Sequence, residues 1–251
     1  MAKVLVIVPF PMSEENRRAR EAQLEAVKLG PDVEFHFRPV RAAPANYTSE
    51  HDSVLADVSI LDAAKNAQAE GYDAVCIDTM SDSGLAAVRS LLDIPVIAPG
   101  RASMLTALML GERFSILIMW DRWRHLYRKT LAELDLGARC ASIRSIGITP
   151  DNQTLLAGKE DRVFPLLLEA AQRCISEDGA EVILLGSTTM HQAHAYLAAR
   201  LPVPVINPGP LTYKLAEAAL ALGLRHSRKA FPKPLAPRTD LIDALFTNLG
   251  H

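Results

Sequence analysis

Gly71-Tyr72-Asp73-Ala74-Val75-Cys76-Ile77-Asp78-Thr79-Met80 returns 108 residues later as Gly179-Ala180-Glu181-Val182-Ile183-Leu184-Leu185-Gly186-Ser187-Thr188. Each copy is a glycine, a small acidic step, an apolar run and a hydroxyl residue, so Thr79 and Ser187 occupy equivalent places. Further on, Ile94-Pro95-Val96-Ile97-Ala98-Pro99-Gly100 repeats as Val203-Pro204-Val205-Ile206-Asn207-Pro208-Gly209, at an offset of 109. One residue of drift is what a duplicated unit shows after divergence. Two similar halves imply one cleft, with Thr79 and Ser187 facing each other across it.

The composition narrows the class. The chain has 251 residues, 49% hydrophobic and 22% charged, as in an ordinary soluble globular protein of one large or two small domains. A net charge of -2 argues against nucleic acid or an anionic membrane as the main partner. Cys76, Cys140 and Cys174 show no paired spacing, and there is no metal-type Cys/His cluster. A reducing cytoplasm and no structural zinc are therefore expected. The apolar run Val4 to Val8 is too short for a signal segment, and no stretch approaches a membrane span.

Taken in order, apolar runs alternate with helix-like stretches. Strands are expected at Val4–Val8, Val33–Arg38, Ala74–Asp78 and Pro95–Ala98, then at Phe114–Met119, Ala141–Ile146, Val182–Leu185 and Val203–Ile206. Ser13 is placed to cap a helix running to about Leu29, on which Arg17, Arg18 and Arg20 form a solvated face or supply an anion-binding group. Residues 41 to 56 read as a long loop of the kind that serves as a lid or binding segment. Helices follow at Asp57–Glu70, Leu85–Leu92 and Ala102–Leu110, then at Asp121–Leu134, Glu160–Glu177, Met190–Arg200, Pro210–Leu222 and Thr239–Leu249. Thr149–Lys159 reads as a polar loop matching the long loop of the first half, and 224–238 as a basic, Pro-rich tail. This order predicts an α/β fold of two pseudo-symmetric lobes, each a parallel sheet flanked by helices, with an active-site cleft between them. Lobe 1 is expected to take 1–100 plus 207–251, and lobe 2 residues 101–206.

Ligands of open α/β sheets sit beyond the carboxyl ends of the strands, which is where Thr79 and Ser187 fall. Both turns are rich in hydroxyls: Thr79-Met80-Ser81-Asp82-Ser83-Gly84 and Gly186-Ser187-Thr188-Thr189. Hydroxyl and backbone donors in such turns suit a carboxylate or an enolate-like oxygen; the simpler reading makes them helix caps. Asp78 and Asp82 flank Thr79, and His191 and His194 follow Ser187 on one helical face. Asp78 is thus a candidate acid or base, or a turn cap. His191 is a candidate base for Ser187, or a packing histidine. Phe10, Tyr47, Trp120 and Trp123 are candidate aromatic walls or core residues. With Met80, Ser81, Met119, Thr188 and Thr189, Phe10 and Trp120 make up the expected substrate-contacting set. Cys76 lies inside an apolar run and reads as a core residue; Cys140 and Cys174 read as structural.

The sequence resembles the aspartate/glutamate racemase superfamily, especially its hydantoin and allantoin racemase branch. Ser81-Asp82-Ser83-Gly84-Leu85, Ile94-Pro95-Val96-Ile97, Gly111-Glu112-Arg113-Phe114-Ser115, Val203-Pro204-Val205-Ile206 and the tail from Gly223 to Pro234 carry the likeness over nearly the whole chain. The resemblance implies two α/β lobes around a cleft, no cofactor, a homo-oligomer and a small-molecule substrate. It also implies one cysteine from each lobe as acid and base on opposite faces of a carbon acid. Here those positions fall on Thr79 and Ser187, and both thiols are missing. A free thiol titrates at about 8.5 and can be tuned lower, whereas an aliphatic hydroxyl gives up its proton far less readily. The family's Asn-rich turn after the first strand is Pro9-Phe10-Pro11 here, and its hydroxyl-rich counterpart is Ile118-Met119-Trp120. The expectation is a racemase-like isomerase acting beside a carbonyl of a small carboxylate or cyclic amide. A lyase, decarboxylase or hydrolase using Ser187, and a non-catalytic small-molecule binding protein, are the alternatives.

Overall fold

The computed structural model describes residues 1–151, 158 and 160–247. The chain runs β1 (Ala2–Val8), α1 (Glu14–Glu21), β2 (Val33–Pro39), α2 (Glu50–Ala64), β3 (Ala74–Ile77), α3 (Leu85–Leu91), β4 (Val96–Ile97) and α4 (Pro99–Leu110). It then repeats the pattern as β5 (Phe114–Ile118), α5 (Arg124–Glu133), β6 (Cys140–Ser145), α6 (Glu160–Ser176), β7 (Val182–Leu185), α7 (His194–Ala198), β8 (Val205–Ile206) and α8 (Pro208–Ala221), before α9 (Thr239–Phe246). Short 3₁₀ turns at Ala22–Ala26, Asp121–Trp123 and Thr188–Ala193 join these elements.

The strands form two four-stranded sheets with the same order, β2-β1-β3-β4 and β6-β5-β7-β8, and every pairing is parallel. The repeat read from the sequence is therefore a repeat of topology. It extends to single hydrogen bonds. Asp78 N donates to Ile7 O at 2.9 Å, and Gly186 N donates to Leu117 O at 2.7 Å. Likewise Val75 N reaches Pro95 O and Ile183 N reaches Pro204 O, each at 2.9 Å.

Strand alternation explains how the first sheet is covered on both faces. Leu5, Ile7, Val75 and Ile77 pack in one cluster with Ile60 of α2 and Leu85 and Val88 of α3. Val4, Val6, Val8, Ala74 and Cys76 pack in another with Phe37, Tyr213 and Ala216. In the second sheet Phe114, Ile116, Leu117 and Ile118 are wholly buried, as are Val182 to Leu185. There α4 packs on β7, and α6 on β5 and β6.

Two compact units result: Met1–Asp78 with Asp82–Ala98 and Thr212–His251, and Thr79–Ser81 with Pro99–Leu211. Helix α8 starts in the second and belongs to the first from Thr212 onward.

Several boundaries differ from expectation. The loop expected over 41–56 is shorter, because α2 begins at Glu50. Ser49 accepts from Asp52 N at 3.2 Å, and Asp52 accepts Thr48 N and Oγ1 at 2.8 Å. That capping starts the helix, which then ends at Ala64 rather than Glu70. The first helix keeps the expected cap, with Asn16 N donating to Ser13 Oγ, but tightens into 3₁₀ geometry at Ala22. The helix expected from Met190 instead opens with a 3₁₀ turn at Thr188. Most of the loop expected at 149–159, and the end of the helix expected to reach Leu249, lie outside the described residues. Among the described residues no helix is long and apolar enough to cross a membrane.

Close approach explains one glycine of the second repeat. A Cβ on Gly186 would sit 2.6 Å from Ile118 Cγ2 and 2.7 Å from Leu117 O, which is backbone and cannot step aside. Gly71, at φ +83 with nothing within 4 Å, has only its left-handed conformation to protect. Gly186→Ala is expected to lose about 2–3 kcal/mol by overpacking, and Gly71→Ala about 1–2 kcal/mol from the left-handed backbone. Urea denaturation of the two variants reads the difference, and equal losses would show that the space around residue 186 is not limiting.

Candidate functional site

In each sheet the strand order reverses beside the first strand, so the connections on either side of that strand leave in opposite directions. The carboxyl ends of β1 and β3 flank this point in the first sheet, and those of β5 and β7 flank it in the second. These are the places where doubly wound sheets open a crevice. Pro9-Phe10 and Asp78-Thr79 stand there in one repeat, and Met119-Trp120 and Gly186-Ser187 in the other.

Thr79 and Ser187 are partly exposed, while Met80, Ser81, Thr188, Thr189 and Met190 around them are buried. Thr79 Oγ1 lies 3.0 Å from Ser81 Oγ. Ser187 Oγ lies 2.8 Å from Thr189 Oγ1 and also accepts Thr189 N–H at 3.2 Å. Ser81 and Thr189 are themselves 108 residues apart, so each repeat presents one hydroxyl backed by a second, two residues on. In such a pair one hydroxyl donates to the other, which orients the remaining proton or lone pair.

The turn after Thr79 is fixed from α2: Gly84 N donates to Asp57 Oδ1 at 2.7 Å, and Leu85 N donates to Asp82 O at 3.1 Å. Asp82 itself takes the left-handed region at φ 52.

Asp78 is buried beneath this turn. Its carboxylate Oδ2 accepts from Arg20 Nη1 at 2.9 Å and from Gln23 Nε2 at 3.4 Å, with the ion pair's side chains 1% and 0% exposed. The solvated face expected for the first helix therefore holds for Arg17 and Arg18, which pair with Glu14 and Glu21, and not for Arg20. At the matching place in the second repeat Gly186 has no side chain, and its carbonyl accepts from the buried Tyr127 hydroxyl of α5. Burial pushes that phenol well above its ordinary range, so it stays a donor.

The histidines separate. His191 lies in the 3₁₀ turn of Thr188–Ala193, while His194 opens α7 with its Nε2 3.0 Å from Val205 O. Ser187 Oγ is engaged by Thr189. Phe10 is buried with its ring 5.1 Å from that of Tyr47, whose hydroxyl donates to Pro9 O at 2.8 Å. Met119 and Trp123 are buried, and Trp120 is partly exposed with the Arg122 guanidinium over its ring. The aromatic residues next to the two first strands thus differ in exposure: Phe10, Tyr47 and Trp123 are buried, and Trp120 is partly exposed.

Gln23, Asp57 and Tyr127 are the neighbours that motif reading passed over, and Arg20 it took for a solvated or anion-binding cation. Their signal was available only as spacing, since Arg20 and Tyr127 stand 107 residues apart on equivalent helices. Among the described residues no group of three His, Cys, Asp or Glu side chains could hold a metal ion.

Cys76 is wholly buried, with its thiol pushed up by desolvation and then by the Asp78 charge. Desolvation also raises Cys174, and it pushes Cys140, which is partly exposed, up to about 11. A thiol-specific reagent at pH 8 should therefore leave Cys76 unlabelled in the folded protein and label it on unfolding, as mass spectrometry of the tryptic peptide can check. Rapid native labelling of Cys76 would return it to the set of candidate bases.

With this geometry in view, comparison with known proteins gives a consistent answer. Residues 13–216 match the Asp/Glu/Hydantoin racemase family. A hydantoin racemase of Paenarthrobacter aurescens is 30% identical over 236 residues, covering 92% of this chain and 97% of that protein. The structure of an allantoin racemase from Klebsiella pneumoniae is similar at a TM-score of 0.85 and 28% identity, covering 94% of this chain and 95% of that one. An allantoin racemase from Pseudomonas fluorescens gives a TM-score of 0.82 at 26% identity, covering 93% and 97%. The chain belongs to the Asp/Glu/hydantoin racemase family, in its hydantoin and allantoin racemase-like branch.

Proposed function

We propose that the protein is a cofactor-independent enzyme acting at the carbon next to a carbonyl of a small carboxylate or cyclic amide, with Thr79 and Ser187 as its central residues. The observation that carries this reading is the pair of matched hydroxyl dyads, Thr79–Ser81 and Ser187–Thr189, each just past a strand end at a reversal of strand order.

The chemistry follows from what hydroxyls do well. Removing a proton from carbon leaves charge on the adjacent carbonyl oxygen, and preorganised donors aimed at that oxygen lower the barrier. A hydroxyl held by its neighbour is such a donor. It is a weak carbon base, so proton removal by Thr79 or Ser187 needs the substrate's acidity or a relay to assist. Racemisation requires a base on one face of the carbon and an acid on the other. Decarboxylation breaks a carbon–carbon bond, releases CO2 and leaves the bonding pair on the carbon beside the carbonyl as an enolate, so it then needs only one proton delivered to that carbon. The replacement of titratable groups by hydroxyls on both sides favours this one-sided chemistry as a second reading. We place Met80, Thr188 and the accessible face of Trp120 around the substrate and leave Asp78 outside the proton path, because its carboxylate is buried against Arg20.

Proton NMR in heavy water, over a panel of hydantoins, α-amino acids and malonate-type acids, tests the reading. Exchange of the α-proton without net conversion indicates carbon-acid chemistry, and a new product indicates lysis or decarboxylation. On whichever substrate responds, Ser187→Ala and Thr79→Val should each lower kcat/KM by about 10²–10³-fold, the usual effect of removing one donor from a developing oxyanion. Turnover unchanged in both variants would sink the assignment. Silence across the panel, together with a ligand-induced rise in Tm, would leave a binding protein.

A further inference from the structure

The residue just before each central hydroxyl is held in the same two ways in both repeats. Its backbone N–H donates to the first strand of its own sheet: Asp78 to Ile7 O, and Gly186 to Leu117 O. It is then gripped from the helix that follows that first strand. In the first repeat Arg20 of α1 takes the Asp78 carboxylate; in the second, the Tyr127 hydroxyl of α5 takes the Gly186 carbonyl. The chemistry differs because the space differs. Residue 186 has no room for a side chain, so only its carbonyl can be held. Residue 78 carries a side chain, which can be.

We infer that Arg20 and Tyr127 are paired positioning residues, which lock the peptides leading into Thr79 and Ser187 and so set the directions of those two hydroxyls. This rests on the proposed role of Thr79 and Ser187. The Gly186 carbonyl lies in the same peptide plane as Ser187 N–H, and Ser187 adopts an extended backbone at φ -150 and ψ 142. The Leu117 bond holds the peptide before Gly186 and the Tyr127 bond holds the peptide after it, so both planes leading into Ser187 are fixed. On the other side, a buried ion pair is a poor source of net stability, since desolvation offsets most of the attraction, but it defines one geometry sharply. Arg20 at 1% exposure and Asp78 at 0% fit that use.

Tyr127→Phe deletes one hydroxyl and keeps the ring in the core, so it is the cleaner variant. It should lower kcat about tenfold or more, as a small misplacement of a reacting group does, with KM within about twofold and the fold retained by circular dichroism. Arg20→Met combined with Asp78→Asn removes the ion pair without stranding a single buried charge, and should show the same split between kcat and KM. Amide hydrogen exchange gives a readout that needs no substrate. Exchange at residues 187–190 should quicken in Tyr127→Phe while the β5 and β7 amides hold. If wild-type protein turns over nothing in the panel, the functional reading fails by itself, and faster exchange at 187–190 still supports positioning. Unchanged kcat in both variants, or unchanged exchange at 187–190 in Tyr127→Phe, overturns it.

Discussion

Everything near the candidate site hangs on the last ladder bond between the first and third strands of each sheet. Asp78 N to Ile7 O and Gly186 N to Leu117 O are the final rungs before the chain leaves the sheet. Strand order reverses at the first strand, which is where doubly wound sheets place their ligand crevice. The residue immediately after each rung, Thr79 or Ser187, is therefore the first to be free of the ladder and partly exposed, with buried residues behind it. The places of Thr79 and Ser187 are thus a property of sheet topology.

The architecture was legible because parallel strands buried on both faces read as unbroken apolar runs. Val182–Leu185 could hardly be anything else, and its echo of Ala74–Ile77 exposed the duplication directly. Boundaries set by side-chain capping were harder. Ser49 caps α2 by accepting from Asp52 N while the Asp52 carboxylate accepts from Thr48, but His51, Val54 and Leu55 interrupt the polar-to-apolar signature that advertises a helix start. The hydroxyl pairs were visible as residues, yet their mutual hydrogen bonds were not. The largest omission was Arg20. On a helix bearing Arg17 and Arg18 it reads as one more surface cation, and only the fold shows that the third arginine points inward to Asp78.

The hydroxyls of the proposed site agree with their surroundings. A cysteine earns its place where a group must change protonation state near neutral pH. Hydroxyls do not do this readily; in each dyad one hydroxyl donates to the other, which fixes the direction of the group that remains. Their surroundings match that behaviour. The nearby ionisable groups, Asp78 and Arg20, are tied to each other, and the Tyr127 phenol is kept protonated by burial.

The discontinuity of the first unit bears on how the chain is made. Tyr213 and Ala216 cover the face of the first sheet that carries Ala74 and Cys76, and they are separated from it by the whole second sheet along the chain. During synthesis from the amino end, all eight strands emerge before that cover exists. The usual order, in which the leading domain finishes first, is therefore inverted: the inserted unit has all its parts while the unit that began the chain still waits for α8. Until then the Val4–Val8 strand has on that face the cover that Leu24, Val27 and Leu29 supply, without that of Tyr213 and Ala216.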